Sequence, residues 1–435
     1  MPDNEKVKDS KIEKITLNVV PQDKRKGWLD VSLIQAGVYI CVPSLLLGGM
    51  LIQCMSLSST IITLGLGYLV SIIITALIGI IGEDLGLPTC VIGMASFGKI
   101  GARVIISSIF AIALIGWFSA QNAVCGSAFA NLLVQIGFDV PVVACTAFWG
   151  IVMLATAVYG IDGLKVLNYI AVPALAIIFI IGTIIAVNQY GTDALNTPVD
   201  STMSIFEGVV LCGSFLSVGM TCASDFTRYQ KSRGGVWTSS TLGIWVPGFI
   251  LGILGAILTK LTTQNDLSLI LADIGLPILG AAILILATWT TNTTNIYSSG
   301  INFVMLLRLK DDKRAMATVV SGIVGTIIAM TGFATFFETF VNTLGVLFFP
   351  VGGVFLADYI IIRKNKPENF RYSNTVNWAG VIAWCAGCIL TWFTPTWGLF
   401  AGFFLSIILY VVLYNVLPCR EPNVIDASKP INPAE

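Results

Sequence analysis

The chain contains no histidine, and only 11% of its residues are charged. Without histidine it lacks the side chain best suited to relaying protons near neutral pH, which is also the commonest metal ligand. Soluble domains carry roughly 25% charged residues. The scarcity of charge, with 56% hydrophobic residues and a mean hydropathy of +0.87, places the chain in a bilayer. An excess of one sign is missing too: 24 Lys+Arg balance 24 Asp+Glu, which argues against a nucleic-acid partner. A disulfide framework is also absent. The ten cysteines are scattered through apolar segments, as at Cys41, Cys125 and Cys212, and the one C-x-x-C pair, Cys385 and Cys388, has no second pair and no histidine to complete a metal site. They read as small buried hydrophobes. The first 27 residues are polar and lysine-rich, with no apolar core or cleavage site behind them; they read as a cytoplasmic tail, not a signal peptide.

What the chain does have is long apolar runs. Twelve can be counted, over about 28–53, 57–82, 100–132, 140–160, 166–188, 202–224, 236–260, 274–306, 315–336, 339–362, 376–393 and 396–417, against the roughly 20 residues that span a bilayer. With the N-terminus in the cytoplasm, every lysine and arginine except Lys260 falls on that side, Lys165 and Arg420 included, as the positive-inside rule asks. The reading is an all-α polytopic membrane protein: a tail over 1–27, a single domain of twelve transmembrane helices over 28–418, and a second cytoplasmic tail over 419–435. A prokaryotic inner (plasma) membrane is the expected location and a monomer the expected state.

Two runs carry helix breakers at mid-depth. The first has Pro43 followed by Gly48 and Gly49; the sixth has Gly213, Ser214, Phe215, Ser217 and Gly219. Interruptions at the first and sixth positions lie five spans apart. That is the spacing of two five-helix inverted repeats, about 28–188 and 202–362, followed by two additional helices over about 376–417. Broken helices in corresponding positions point to a site near the membrane midplane. Against this, no residue-level repeat joins the halves, and Pro and Gly are commoner in membrane helices anyway.

Hydroxyls and amides are densest in the eighth run, where residues 290–295 read Thr-Thr-Asn-Thr-Thr-Asn. Each polar group in hydrocarbon needs an internal partner or a wet cavity. Ala287, Thr290 and Thr291 stand at i, i+3 and i+4, so one carbonyl and two hydroxyls can converge on a hard monovalent cation such as Na⁺. Gly37 and Ile40 are the best-placed carbonyls of the broken first helix to complete the set. The alternative is threonine bonding back to its own helix. Asn292 and Asn295 remain available to a ligand.

In the third run Trp117 and Gln121 share a face at i and i+4. They form an aromatic wall with an adjacent amide, which suits a flat polar heterocycle, or else they are interhelical glue. Phe215 is placed to stack on the second face of such a ring. Ser214 and Ser217 are polar groups at the expected break, or small residues for packing. No Lys, Arg, Asp or Glu stands at the middle of the first, third, sixth or eighth run, so the expected substrate is neutral overall. Asp225 with Arg228, and Asp358 with Arg363, read as pairs at inner helix ends, structural or gating. A channel would need a ring of charges or a repeated filter. An enzyme would need a catalytic constellation that is absent here.

Taken together, the chain resembles the nucleobase–cation symporter (purine/cytosine permease) family, and within it the cytosine permease branch. The resemblance covers about residues 27–418. It rests on Trp289-Thr-Thr-Asn292 with Tyr297-x-Ser-Gly300, Gly213-Ser-Phe-x-Ser217 with Asp225-Phe-x-Arg228, Ser96-Phe-Gly98, Gly116-Trp-Phe118 and Pro350-Val-Gly-Gly-Val-x-x-Ala-Asp-Tyr359. Each motif is weak alone; their order is specific.

The resemblance implies a LeuT-like inverted-repeat fold and cation-coupled import of cytosine by alternating access, with sodium as the expected cation. It implies a base held between Trp117 and Phe215 and bonded by Ser214 and Ser217, and a co-transported sodium ion on Gly37, Ile40, Ala287, Thr290 and Thr291, with no organic cofactor. Where cytosine permeases carry a Gln three residues before the Trp, this chain has Leu114, and its amide is Gln121, as in hydantoin-transporting relatives; a permease amide in the eighth span falls on Ala287. Hydroxymethylpyrimidine or another thiamine precursor, hydantoin or allantoin, another purine or pyrimidine, and a proton in place of sodium are the alternatives.

Overall fold

The structure is a computed structural model that describes residues 17–158, 179–197, 202–263 and 274–417, with residues 173, 177, 199, 270 and 423 standing alone. The tail before residue 17, Lys165, most of the fifth run ahead of Phe179, and the C-terminal tail with Arg420 and Lys429 lie outside the described residues. Among the described residues the regular structure is helical, apart from isolated bridges between Lys26 and Gln230 and between Tyr372 and Asn423.

In chain order the helices are α1 (Trp28–Tyr39), α2 (Val42–Cys54), α3 (Leu57–Leu85), α4 (Thr89–Gly101), α5 (Ser107–Gln135) and α6 (Val142–Val158). Next come α7 (Phe179–Tyr190), α8 (Ile205–Thr221), α9 (Ser224–Thr227), α10 (Arg233–Ser240), α11 (Val246–Thr262) and α12 (Pro277–Leu306). The last are α13 (Arg314–Met330), α14 (Phe337–Leu356), α15 (Trp378–Phe393) and α16 (Gly398–Val416). Among the described residues six helical stretches are long and apolar enough to cross a membrane, seven when the bent α1–α2 pair is taken as one span. On α3 the exposed Ile62, Leu66, Leu69 and Ile73 recur at helical spacing and form a lipid-facing stripe.

The first run breaks where proline says it should. Ile40 and Cys41 leave the helix, Cys41 is extended at φ −140°, and α1 and α2 meet at a 55° bend. Pro43 opens α2, where its missing N–H costs nothing. Ending α1 orphans the carbonyls of its last turn, and three donors gather on them. Ile40 N–H donates to Ala36 O at 2.7 Å, the Thr291 hydroxyl reaches Gly37 O and Val38 O at 3.0 and 3.2 Å, and the Ser44 hydroxyl donates to Tyr39 O at 2.7 Å.

The sixth run differs from expectation. α8 is continuous through Gly213, Ser214, Phe215, Ser217 and Gly219, and turns only at Cys222 before the short α9. The glycines serve packing instead of unwinding. A Cβ on Gly213 would meet Leu399 at 2.7 Å, and one on Gly219 would overlap the Tyr39 hydroxyl. The third run also differs: α4 precedes α5, kinked at Gly98 (φ +74°) and joined to α5 by a π-helical turn over Ala102–Ile106. Gly98 lies against the backbone of Thr375, so a side chain there meets both steric and conformational strain.

Two pairings set the frame of the centre. α2 and α11 approach through glycines: a Cβ on Gly48 would overlap Gly252 O, and one on Gly255 would overlap Leu45 O. α5 and α12 run antiparallel in a fixed register. Asn292 Nδ2 donates to Phe118 O at 3.0 Å, and seven residues further along each helix the Ser299 hydroxyl donates to Ala111 O at 3.3 Å.

Several charged side chains meet at the C-terminal end of α3. Arg233 forks onto Asp84 at 2.7 and 2.6 Å, Tyr359 donates to the same carboxylate at 2.5 Å, and Arg25 lies 3.6 Å from Glu83 while donating to its carbonyl at 2.6 Å. Asp358 pairs with Arg363 at 3.3 Å and accepts from Tyr410. Asp225 takes the Thr89 N–H at 2.8 Å. The nine described cysteines are all free.

Candidate functional site

A cavity of about 70 Å³ lies where α1, α5, α8, α12 and the turn after α8 meet. It is several times the roughly 10–15 Å³ that one water needs. Its wall is built at helical spacing. α5 presents Leu114, Trp117 and Gln121; α12 presents Thr291, Thr294, Asn295 and Ser298; α1 presents Gln35, Val38 and Tyr39. The far wall is Phe215, Gly219, Cys222 and Phe226, with Ile244. None of the described lining residues is charged.

Four buried polar atoms on this wall have no hydrogen-bond partner among the described residues: Gln35 Oε1, Tyr39 Oη, Gln121 Oε1 and Ser298 Oγ. A buried polar atom left unpaired costs about 1–3 kcal/mol. Four around one cavity mark a place where something polar binds.

The sequence-derived residues divide here. Trp117, Gln121, Phe215 and Asn295 reach the cavity; Ser214, Ser217 and Asn292 do not line it. Ser214 faces Gly345 of α14, so closely that a Cβ on that glycine would overlap its hydroxyl. Ser217 donates to Ser214 O at 2.8 Å, the local bond a helical serine makes when its helix does not unwind. Asn292 is a tie between helices, donating to Phe118 O and to the Met153 sulfur, and its oxygen is 3.5 Å from Asn295 Nδ2.

Trp117 and Phe215 are neighbours, but not as parallel plates. Their centroids are 5.4 Å apart with planes at 84°, an edge-on contact, and Phe340 meets Trp117 edge-on from another side at 5.8 Å. A flat ring enters between Trp117 and Phe215 only after one of them turns.

Beside the cavity, oxygens converge at the break in the first helix. Thr291 Oγ1 lies 3.0 Å from Gly37 O, 3.2 Å from Val38 O and 3.1 Å from Ala287 O. Thr290 Oγ1 lies 3.0 Å from Ala287 O. Gly37, Ala287, Thr290 and Thr291 are thus brought together, with Val38 O added. Ile40 is the residue at which the helix ends; its amide is bound to Ala36 O, and no contact of its carbonyl with Thr290 or Thr291 is seen. All the grouped oxygens are neutral, the donor type that suits a hard monovalent cation.

Sequence reasoning missed Gln35, Tyr39 and Ser298. Their signals were present: Gln35 and Tyr39 stand at i and i+4 just ahead of Pro43, and Ser298 continues the face of Thr291 by two turns.

A family model described as "Permease for cytosine/purines, uracil, thiamine, allantoin" matches residues 19–412. The cytosine permease of Escherichia coli (strain K12) is 28% identical over 376 residues, 85% of this chain and 86% of the relative. Among solved structures, the nucleobase-cation-symport-1 family transporter Mhp1, closed with bromovinylhydantoin bound, superposes with a TM-score of 0.84 at 18% identity, over 94% of this chain and 96% of that one. Mhp1 in its inward-facing conformation superposes with 0.77 at 17% identity, over 94% and 95%. The likeness shows a common fold, nearer to the closed form than to the inward-facing one.

Proposed function

The chain belongs to the family of permeases for cytosine/purines, uracil, thiamine and allantoin, and from that premise we propose that it is a sodium-coupled symporter importing a neutral nucleobase, cytosine first among the candidates. It is a multi-pass membrane transporter and not an enzyme. The finer reading has twelve crossings in the plasma membrane, both termini inside, as two inverted five-helix repeats with two helices added.

The observation that carries the coupling is Thr291. It lines the cavity, and its hydroxyl lies within hydrogen-bond reach of Gly37 O and Ala287 O. A cation held by Gly37 O, Ala287 O, Thr290 and Thr291 would tie α1 to α12 while ordering the wall against which the substrate rests. Ion and substrate then favour the same arrangement, and coupling is that shared preference. Trp117 supplies a face for the ring, Gln121 and Asn295 supply hydrogen bonds, and Phe215 turns to close the second face. The uncharged wall supports a neutral substrate.

The test is uptake of radiolabelled cytosine into proteoliposomes at fixed pH, with and without a sodium gradient. Uracil, hydroxymethylpyrimidine, hydantoin and allantoin serve as competitors. Sodium-driven accumulation displaced by one of these supports the reading; equal uptake without sodium sinks it.

Proton coupling is the second reading, and Asp225 favours it. The residue is 1% exposed, its Oδ2 has no partner among the described residues, and it follows the Cys222–Ala223 wall of the cavity. Uptake driven by a pH gradient without sodium, and lost in Asp225→Asn, would select it.

A further inference from the structure

The cavity is longer than the aromatic pair. The face of α12 from Thr291 to Ser298 covers seven residues, about 10 Å at the helical rise of 1.5 Å per residue. The register with α5 sets the order of levels: residue 292 meets residue 118 and residue 299 meets residue 111. Gln121 therefore lies at one end, level with about residue 289, and Ser298 at the other, just past Leu114. Trp117 and Phe215 touch in the middle. Open space continues past them, between Gln35 of α1, Ser298 of α12, Phe226 and Ile244.

Two side-chain oxygens of this far end accept no hydrogen bond among the described residues. Gln35 is 2% exposed and Ser298 1%, both line the cavity, and Gln35 Oε1 and Ser298 Oγ have no hydrogen-bond partner among the described residues. Ser298 lies within reach of the Asp225 carboxylate, to which its hydroxyl can donate. A serine leaning its proton toward a carboxylate offers lone pairs on its other side. Gln35 Oε1 is an acceptor by nature. The far end is therefore an acceptor edge, floored by an apolar aromatic.

We propose that Gln35 and Ser298 form a specificity subsite that accepts hydrogen bonds from N–H or amino groups on the edge of the ligand facing away from Gln121. The inference rests on the reading of the cavity as the site of a neutral ring. With Gln121 at the opposite end, the ligand is a heterocycle with polar groups at both ends of its long dimension. A ring lacking donors on the far edge leaves two buried acceptors unpaired, and discrimination by unpaired partners exceeds what apolar fit provides.

The test uses the full chain in lipid nanodiscs and three probes: cytosine, pyrimidin-2-one, which lacks the amino donor, and 1-methylcytosine, which lacks the ring N–H. The wild type should bind at least one of the two analogues about tenfold more weakly than cytosine. In Gln35→Met and in Ser298→Ala that ratio should fall to within about twofold, through weaker cytosine binding. Unliganded Gln35→Met should melt no lower than wild type, because Gln35 Oε1 makes no hydrogen bond that the fold loses; a merely structural polar group would lower the melting point and leave the ratio alone. Discrimination retained in both variants overturns the subsite while leaving the nucleobase reading intact. Wild type that binds none of the three probes overturns the pyrimidine reading and the subsite with it.

Discussion

The Thr291 hydroxyl lies 3.0 Å from the carbonyl oxygen of Gly37, joining residues 254 apart in the chain. The bond exists because α1 stops. A carbonyl inside a continuous helix would be taken by its own i+4 amide; at the break it is free, and α12 brings a hydroxyl to it. Thr291 also sits at the border between the oxygen cluster and the cavity.

Replacing that hydroxyl should separate the two sites. Thr291→Ala, alone or with Thr290→Ala, is expected to raise the sodium concentration for half-maximal uptake by about tenfold, the scale of one lost interaction of about 1.4 kcal/mol. Thr291→Ser keeps the oxygen and should stay near wild type. Sodium activation curves in proteoliposomes measure this. An unshifted curve in the double variant removes these hydroxyls from the cation site.

The aromatic pair and the serines behind it should behave differently. Trp117→Ala removes the ring face and should weaken ligand binding about tenfold, within the 0.5–1.5 kcal/mol of an aromatic contact plus its burial. Ser217→Ala should change binding by less than about twofold, since that hydroxyl is spent on Ser214 O. Equal losses in the two variants, read by ligand-induced thermal shift, would mean that α8 unwinds to present Ser217 in the bound state.

Close packing of α2 on α11 sets a stability prediction. A methyl at Gly48 would overlap Gly252 O, and overpacking of this kind costs about 1–3 kcal/mol. Gly48→Ala should therefore melt below wild type, while Gly234→Ala, where nothing lies within 4 Å, should not. Paired melting curves decide it.

The charged end should control opening. Arg233 binds Asp84 by two hydrogen bonds, and Tyr359 shares that carboxylate. The Arg233 side chain is 42% exposed, so the pair is worth about 1 kcal/mol at most, roughly a fivefold change in a conformational population. Arg233→Ala should speed alkylation of Cys222, a buried thiol on the cavity wall, by a small maleimide. Mass spectrometry of the labelled chain gives the rate; no acceleration would assign the network to static support.

Several features were legible in residue order alone. Scarce charge and apolar runs of about twenty residues or more called for helices in a bilayer, because a barrel strand needs only about ten residues that alternate in polarity. Pro43 announced the break between α1 and α2, since a missing N–H is a local property. The spacing of Ala287, Thr290 and Thr291, and of Trp117 and Gln121, announced which groups share a helix face. Other features depended on partners distant in the chain. Gly213 and Gly219 read equally as breakers or as packing surfaces, and only Leu399 and the Tyr39 hydroxyl decide for packing. Asn292 and Asn295 are three residues apart, yet one is consumed by α5 and the other faces the cavity. Gln35 and Ser298 became site candidates only when the fold left their oxygens buried beside open space without a partner. Periodicity is a property of one helix and can be read from it; satisfaction of a polar atom is a property of whatever packs against it, and that is set by tertiary structure.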